Sequence, residues 1–592
     1  MDRHLMLDRT LTALSLSLSV AALAVAPAGA QDTRTYYTAR IAQPEVPAVL
    51  SASDRELYGQ LFRAIDAQRW PEVEQLIAQR PDGLLTDVAR AEYYLHANSP
   101  RAELYALQNW LQTGTDLPQA AQIGRLAVTR GATSQPALPY LRETYAQNTM
   151  PRRTRPRSIS DGTMPSDIAA SINDRIVNDD PDGARLLLDG VDALLSSEAR
   201  AEWRQKVAWS YFIENRDAEA LAVAQTVGAG SGPWVAEGDW TVGLSAWRQG
   251  DCRMAGDAFQ RAAAGTSNAE LRTASLYWAG RSAMRCRQPD LSARLMHDAA
   301  SDDRTLYGML ATESLGRQLP ERVENPEFTS ADWQQVGNIR NVRVAVALTE
   351  IGRDGLGSTV LQHQARIGQP GEYQPLTRLA RALGYPQTQL ALAYNAPSGA
   401  EAHPASFYPA PKYAPYNGWQ VDPALAFSHI LQESAFRPNA TSPANAQGLM
   451  QITPITVRQH APSLGLSASG VDIYDPATNL AFGQQNLIML RDDSTTRGRL
   501  PVIMAAYNAG MTPVRRWEAE VNDQGDPLMY MEAIPYWETR EYVSVVMRNY
   551  WMYERQARAT SATRMALSQN GWPLFPDGRA PTSGRVYMST DY

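Results

Sequence analysis

"WRQKVAWSYFIENRDAEALAVA", residues 203–224, and "WTVGLSAWRQGDCRMAGDAFQRA", residues 240–262, follow one plan. In each, an aromatic residue opens a helical pattern, a polar or Gly-containing turn interrupts it, and a second helical pattern follows. Trp203, Trp240 and Tyr277 stand 37 residues apart. A helix hairpin of this size cannot bury its apolar face alone and has to stack on neighbours, so the period predicts an α-solenoid, a superhelix of helix hairpins. Large aromatics at fixed repeat positions read as packing residues, with a carbohydrate-stacking surface as the alternative. Short amphipathic patterns run from about Ser53 to Pro320: Leu57, Leu61, Ala64 and Ile65 form one stripe, and Val73, Leu76 and Ile77 the next. Strand-type alternation is hard to find, and the fold class expected is all-α.

The two cysteines, Cys252 and Cys286, fall near the ends of the first helices of successive units. In an oxidising compartment such a pair reads as a disulfide between adjacent repeats; two buried free thiols are the alternative. A bridge would stabilise the fold by about 3–4 kcal/mol in the chain-entropy model. Neither cysteine has a second Cys or a His at ligand spacing, so no metal is expected.

At 592 residues the chain is too long for one ordinary core. Apolar residues at 44% and charged residues at 20% are ordinary for a folded globular protein, and a net charge of −7 offers no basic footprint for nucleic acid. Basic Arg3 and Arg9 precede an apolar run from Leu11 to Ala26, and Ala28-Gly29-Ala30 supplies the small residues of a cleavage site. Residues 1–30 therefore read as a signal peptide that directs export to the periplasm; an uncleaved anchor is the alternative, but the run is short and interrupted by serines. No other stretch is apolar enough to span a membrane, so no integral membrane segment is expected after cleavage. The remaining expectations are a solenoid over 31–325, a helical linker region over 326–412 and a catalytic domain over 413–560. The Gly-, Pro- and Ser-rich tail, 561–592, reads as an extension on the surface. The Pro- and Tyr-rich passage "AHPASFYPAPKYAPYNGW", 402–419, marks the connection.

Within the last domain, Asp422-Pro423 opens a helix expected to run to about Phe436, because Pro438 disfavours helical geometry at Arg437. Ala426, Ile430 and Glu433 share one stripe, with His429 one turn before Glu433 on the same side. A carboxylate on an apolar face at a helix C-terminus loses hydration and meets the negative end of the dipole. Both effects raise its pKa, as a general acid near neutrality requires. A structural Glu paired with Arg437 is the bland alternative. "NATSPANAQGLMQITP", 439–454, gathers Asn445 and Gly448 into a turn, where Ser442 and Gln451 can present polar groups. "LPVIMAAYNAG", 500–510, reads as a helix stopped by Gly510, with Tyr507 a core residue by default and a partner for the acid if it faces Glu433 across a cleft. A helix beginning at about Thr539 carries Tyr542, Val546, Asn549 and Tyr553 on its buried stripe, with Glu538 just before it at the domain surface or cleft edge.

These blocks resemble the soluble lytic transglycosylases of bacterial cell walls, whose catalytic domain is related to goose-type lysozyme. The resemblance rests on Glu433-Ser434 with Phe436 and Pro438, Gly448-Leu449-Met450-Gln451, Ala506-Tyr507-Asn508-Ala509-Gly510, and Ile534-Pro535 with Glu538-Thr539-Arg540 and Tyr542-Val543. Four blocks in order cover about residues 413–555. Two departures stand out: Asn445 where the family often has Gly, and Thr453 where it often has Met. The resemblance implies that Glu433 is the sole acid/base, cleaving the β-1,4 bond between N-acetylmuramic acid and N-acetylglucosamine. The muramic C6 hydroxyl attacks its own anomeric carbon and leaves a 1,6-anhydro end. It further implies that Ser442 and Gln451 orient sugar, that Tyr507 partners the acid, and that Asn508 and Glu538 support the cleft. No cofactor or metal is implied, and the partner expected is the peptidoglycan glycan strand.

Two rival readings remain at this level. One is a goose-lysozyme-like muramidase that admits water to the same acid. The other is a non-catalytic wall-binding or scaffold protein in which the solenoid does the work. A solenoid that recruits cell-wall synthesis or secretion-system proteins is compatible with catalysis.

Overall fold

A computed structural model describes residues 32–41, 46–147, 150–317, 319 and 327–576; the expected signal peptide lies outside them. Helices account for nearly all of the regular structure among the described residues, and the fold is all-α. The repeat is built as three consecutive hairpins: Ser197–Ile213 with Asp217–Val227, Trp234–Arg248 with Cys252–Gly265, and Ala269–Arg285 with Pro289–Ala299. Each turn contains one residue in the left-handed region, Asn215, Gly250 and Arg287 in succession, at φ 57°, 82° and 59°. That residue stops the first helix and redirects the chain. Side chains of Ser196, Asp251 and Asn268 accept hydrogen bonds from backbone N–H groups three residues on, capping the next helix.

Trp203, Trp240 and Tyr277 do not open their helices as the sequence pattern suggested; they lie one and a half to two turns inside them and are buried. The pattern marks the face that packs, and each helix begins well before it. Trp240 packs on Phe259 and Tyr277 on Tyr307, with ring centroids 5.2 and 5.3 Å apart. Cys252 and Cys286 are disulfide-bonded, their Cα atoms 5.6 Å apart. Their positions differ from the expectation: Cys252 begins the second helix of one unit, and Cys286 follows the first helix of the next.

The expected linker, 326–412, is a packed layer instead. Its helices Arg340–Glu350, Asp354–Ile367 and Tyr373–Ala382 share one apolar core with Ala52–Asp66, Trp70–Gln79 and Thr86–Leu95. Periodicity identifies an apolar face but not its partner, and here the partner lies more than 200 residues upstream. The solenoid expected over 31–325 is accordingly split. Residues 52–129 belong to this first core, whereas 166–314 are continuous with the core of the C-terminal domain. Between them a Pro- and Arg-rich stretch has no helix among its described residues. Within it β1, Thr144–Ala146, pairs antiparallel with β2, Asn395–Pro397, placing Tyr145 opposite Ala396.

In the C-terminal domain, four helices open on a Pro preceded by a side-chain cap: Asp422, Thr453, Asp475 and Asp526. The Trp537–Gln556 helix runs through the middle of the domain, buried over most of its circumference against Pro423–Glu433 and Leu500–Ala509. Ion pairs tie it and its neighbours to the solenoid: Arg548 meets Glu270 at 3.0 Å, and Arg281 meets Asp526 at 2.7 Å. The tail begins as a packed helix, Ala562–Ser568. Thr563 accepts from Trp551 Nε1 at 2.9 Å, and Arg564 pairs with Glu313 at 2.9 Å.

Glu554 of the central helix is buried, with Oε2 lacking a partner, and burial pushes its carboxyl up to about 8. The native state therefore keeps a proton that the unfolded chain gives up near pH 4, and stability falls as pH rises from there toward 8. Glu554→Gln removes this loss. Its Tm should exceed the parent's by about 1–2 °C at pH 8 and should not exceed it at pH 5, read by thermal melts at both pH values.

Candidate active site

The helix carrying Glu433 spans Pro423–Glu433 and ends three residues before the expected Phe436. Ala435 and Phe436 adopt φ 49° and 61°, so the chain turns sharply as soon as the carboxylate has been presented. Glu433 is the last helical residue. It is half-buried and lines an open cleft of about 680 Å³ together with Ser442, Gln451 and the 437–443 stretch. Gln387, from the 326–412 layer, also lines this cleft and donates from Nε2 to Phe436 O at 2.7 Å.

Burial pushes the Glu433 carboxyl up to about 7. A hydrogen bond from Tyr542 acts against this rise, and the charge of Glu538 adds to it. Arg437 does not pair with the acid; its Nε donates to Ser434 O at 3.0 Å. The bland ion-pair reading of Glu433 is thus not the arrangement present.

The phenol that meets Glu433 differs from the expectation. Tyr542 Oη donates to Glu433 Oε1 at 2.7 Å, while Tyr507 Oη donates to Met450 O at 2.8 Å. Tyr507 therefore fixes the turn, and it comes near Glu433 without a hydrogen bond to it. The sequence marks Tyr542 as a member of a buried stripe and of the last resemblance block, without a role beside Glu433; its register on the central helix decides which phenol reaches that carboxyl group. That helix starts at Trp537, two residues before the expected Thr539, so exposed Glu538 lies in its first turn. Asn508 Oδ1 accepts from Thr539 Oγ1 at 2.7 Å, tying the end of Leu500–Ala509 to that same turn.

The 439–453 turn is held by its own backbone. Gly448 N donates to Ala440 O, Gln447 and Ile452 exchange hydrogen bonds, and Ser442 Oγ accepts from Ala446 N at 3.0 Å. Asn445 takes φ 59°, in keeping with its tolerance for that region. Gly448, at φ 77°, could not carry a Cβ, which would lie 2.1 Å from Asn479 Nδ2. Buried Asn479 was missed in the sequence, where it is one polar residue inside a helical stretch. It accepts from Met450 N at 2.7 Å and donates to Gln447 O and Ile473 O. Gln451 Nε2 donates to Gly448 O at 2.9 Å, and Thr453 caps the Pro454–His460 helix.

Residues 414–529 match the family model of the Transglycosylase SLT domain. This stretch is an SLT domain. Relatives fit that assignment. The soluble lytic murein transglycosylase of Escherichia coli K12 is 32% identical over 158 residues, 26% of this chain and 24% of its own. That of Salmonella typhimurium LT2 is 31% identical over 132 residues, 22% and 20% of the two chains. A Haemophilus influenzae relative is 29% identical over 280 residues, 43% of each chain. The chain thus spans less than half the length of the curated relatives it matches. Over a longer range, the bulgecin A complex of a 70-kDa soluble lytic transglycosylase superimposes with a TM-score of 0.58 at 18% identity, covering 89% of this chain and all of that one. The shared feature there is the fold.

The opposing influences of Tyr542 and Glu538 on Glu433 can be read separately. Tyr542→Phe should raise the carboxyl pKa and Glu538→Gln should lower it, each by about half a unit to one unit, in a ¹³C NMR titration of glutamate carboxyls.

Proposed function

We propose that this protein is an exported peptidoglycan lytic transglycosylase that cleaves the β-1,4 bond between N-acetylmuramic acid and N-acetylglucosamine, with Glu433 as its acid/base. The observation that carries the reading is a half-buried carboxyl with a pKa near 7, held through one oxygen by Tyr542, at the edge of a cleft built from the SLT turn. A carboxyl group titrating near 7 is protonated often enough to act as an acid and ionised often enough to act as a base.

In the reaction, protonated Glu433 gives its proton to the bridging oxygen as the anomeric bond breaks. The resulting carboxylate takes the proton of the muramic C6 hydroxyl as that oxygen bonds the anomeric carbon. One C–O bond is lost and one formed, no water is consumed, and the product ends in a 1,6-anhydro ring. This use of the substrate's own hydroxyl departs from the common two-carboxylate scheme, in which a second carboxylate stands beside the first. Exposed Glu538 has an electrostatic part, keeping the acid protonated to higher pH. Ser442 and Gln451, on the cleft wall, are placed to orient the sugar. Export rests on the N-terminal signal pattern, and the soluble lytic murein transglycosylases among the relatives are in keeping with it.

The test is mass spectrometry of material released from purified peptidoglycan. The mature protein should release muropeptides lighter by one water than hydrolytic products, and Glu433→Gln should reduce the rate by about 100- to 10,000-fold. Hydrated, reducible ends would make the enzyme a muramidase. No release by the parent protein would favour the scaffold reading.

A further inference from the structure

Behind Glu433 lies a second hydrogen bond that the proposed mechanism does not use. His429, one turn earlier on the same helix, is fully buried, and its Nδ1 lies 2.8 Å from Tyr542 Oη. The other ring nitrogen, Nε2, is buried without a partner. The ring packs on Tyr507, with centroids 4.6 Å apart, and burial holds it neutral, with its pKa down at about 3.

A neutral imidazole carries one proton, and two tautomers are open to it. Placing the proton on Nε2 would leave a buried N–H donor unsatisfied, a rarer and costlier state than an unsatisfied acceptor. The proton therefore belongs on Nδ1, which then donates to Tyr542 Oη. With its oxygen accepting from the ring, the phenol directs its own O–H at Glu433 Oε1. The chain runs one way, from His429 Nδ1–H through Tyr542 O–H to Oε1. It satisfies both states of the acid, because Oε1 accepts equally as half of a carboxylate or as the carbonyl oxygen of a protonated carboxyl group.

We propose that His429 is a positioning residue that, through Tyr542, keeps Oε1 an acceptor and so confines the catalytic proton to Oε2, the oxygen left to the cleft. The inference rests on Glu433 being the acid. The groups facing this chain are few. Tyr542 and Glu538 come from the Trp537–Gln556 helix, and Tyr507, from Leu500–Ala509, has its hydroxyl committed to Met450 O. Nearby Arg437 is bonded to Ser434 O, and Arg152 to Gln432 Oε1. None of these donates to Oε1 in place of Tyr542. Without His429 the phenol is free to turn its O–H away and accept from a proton on Oε1, which divides the acid between a productive and an unproductive form.

Two measurements test this. In the first, kcat and KM for glycan cleavage are followed against pH for His429→Leu and His429→Asn, the latter keeping an amide N–H donor near the Nδ1 position. The leucine variant should lose about three- to tenfold in kcat with KM unchanged, and its high-pH limb should move up by about half a unit to one unit, the worth of one hydrogen bond. The asparagine variant should recover most of both. A leucine variant with the parent's profile, or an asparagine variant as impaired as leucine, overturns the proposal. In the second, ¹⁵N NMR of histidine-labelled parent protein, with the His429 signal assigned by its loss in His429→Asn, should show the Nδ1–H tautomer between pH 5 and 8. An Nε2–H tautomer or an imidazolium overturns it, and this readout needs neither activity nor a leucine variant that folds. Absence of any cleavage by the parent protein would instead strike at the function proposed above.

Discussion

Water only half reaches the carboxyl group of Glu433, and the packing of the C-terminal domain around it creates that condition. Its own helix stops at the residue that carries it, so one side of the group faces protein and the other a cleft. Burial alone would push the pKa further upward, and the Tyr542 hydrogen bond restrains it. That bond exists only because the Trp537–Gln556 helix lies along Pro423–Glu433 in one register. The register is set in turn by a core in which Tyr542, Val546, Tyr550 and Tyr553 are buried together.

The central helix is also where the superhelix is anchored. Arg548 reaches Glu270 from a position almost fully removed from water, and burial pushes the Glu270 carboxyl up to about 7 despite the facing guanidinium. A buried pair of this kind adds little net stability, because desolvation offsets the attraction, but breaking it strands a charge. Its contribution is to define a single way for the two parts to meet. Tyr307 Oη, donating to Glu532 Oε1 at 2.6 Å, and Arg153, which stands between Glu237 of the superhelix at 2.8 Å and Glu532 at 3.8 Å, add further polar contacts of the same directional kind.

Much of this was legible in the residues. The 37-residue period marked the hairpins, and Glu433, Ser442 and Gln451 were picked out together and do share a cleft. Three things were not legible, each for a physical reason. The helices of 330–382 read as a linker because an amphipathic stripe does not name the surface it packs against, and theirs belongs to residues 50–127. Tyr507 was matched to the acid and Tyr542 was not, because two phenols on two helices are equivalent until the crossing of those helices is known. Asn479 and Gln387 carried no signal at all: their importance comes from backbone groups that are distant in the chain.

Gln387 introduces a coupling of a different sort. It opens the Pro386–Tyr394 helix, whose Leu390 and Ala393 belong to the core shared with the SLT domain, while Leu392 belongs to the core shared with residues 50–127. One short helix is thus a party wall between two separately packed bodies, and its first turn is exposed to whatever fills the cleft. By linkage, any ligand gripping that wall shifts the folding equilibrium of the remote layer, and loosening the remote layer weakens the grip by the same free energy. Among the described residues none of 52–129 lines the cleft, yet by this route their packing bears on what the cleft holds.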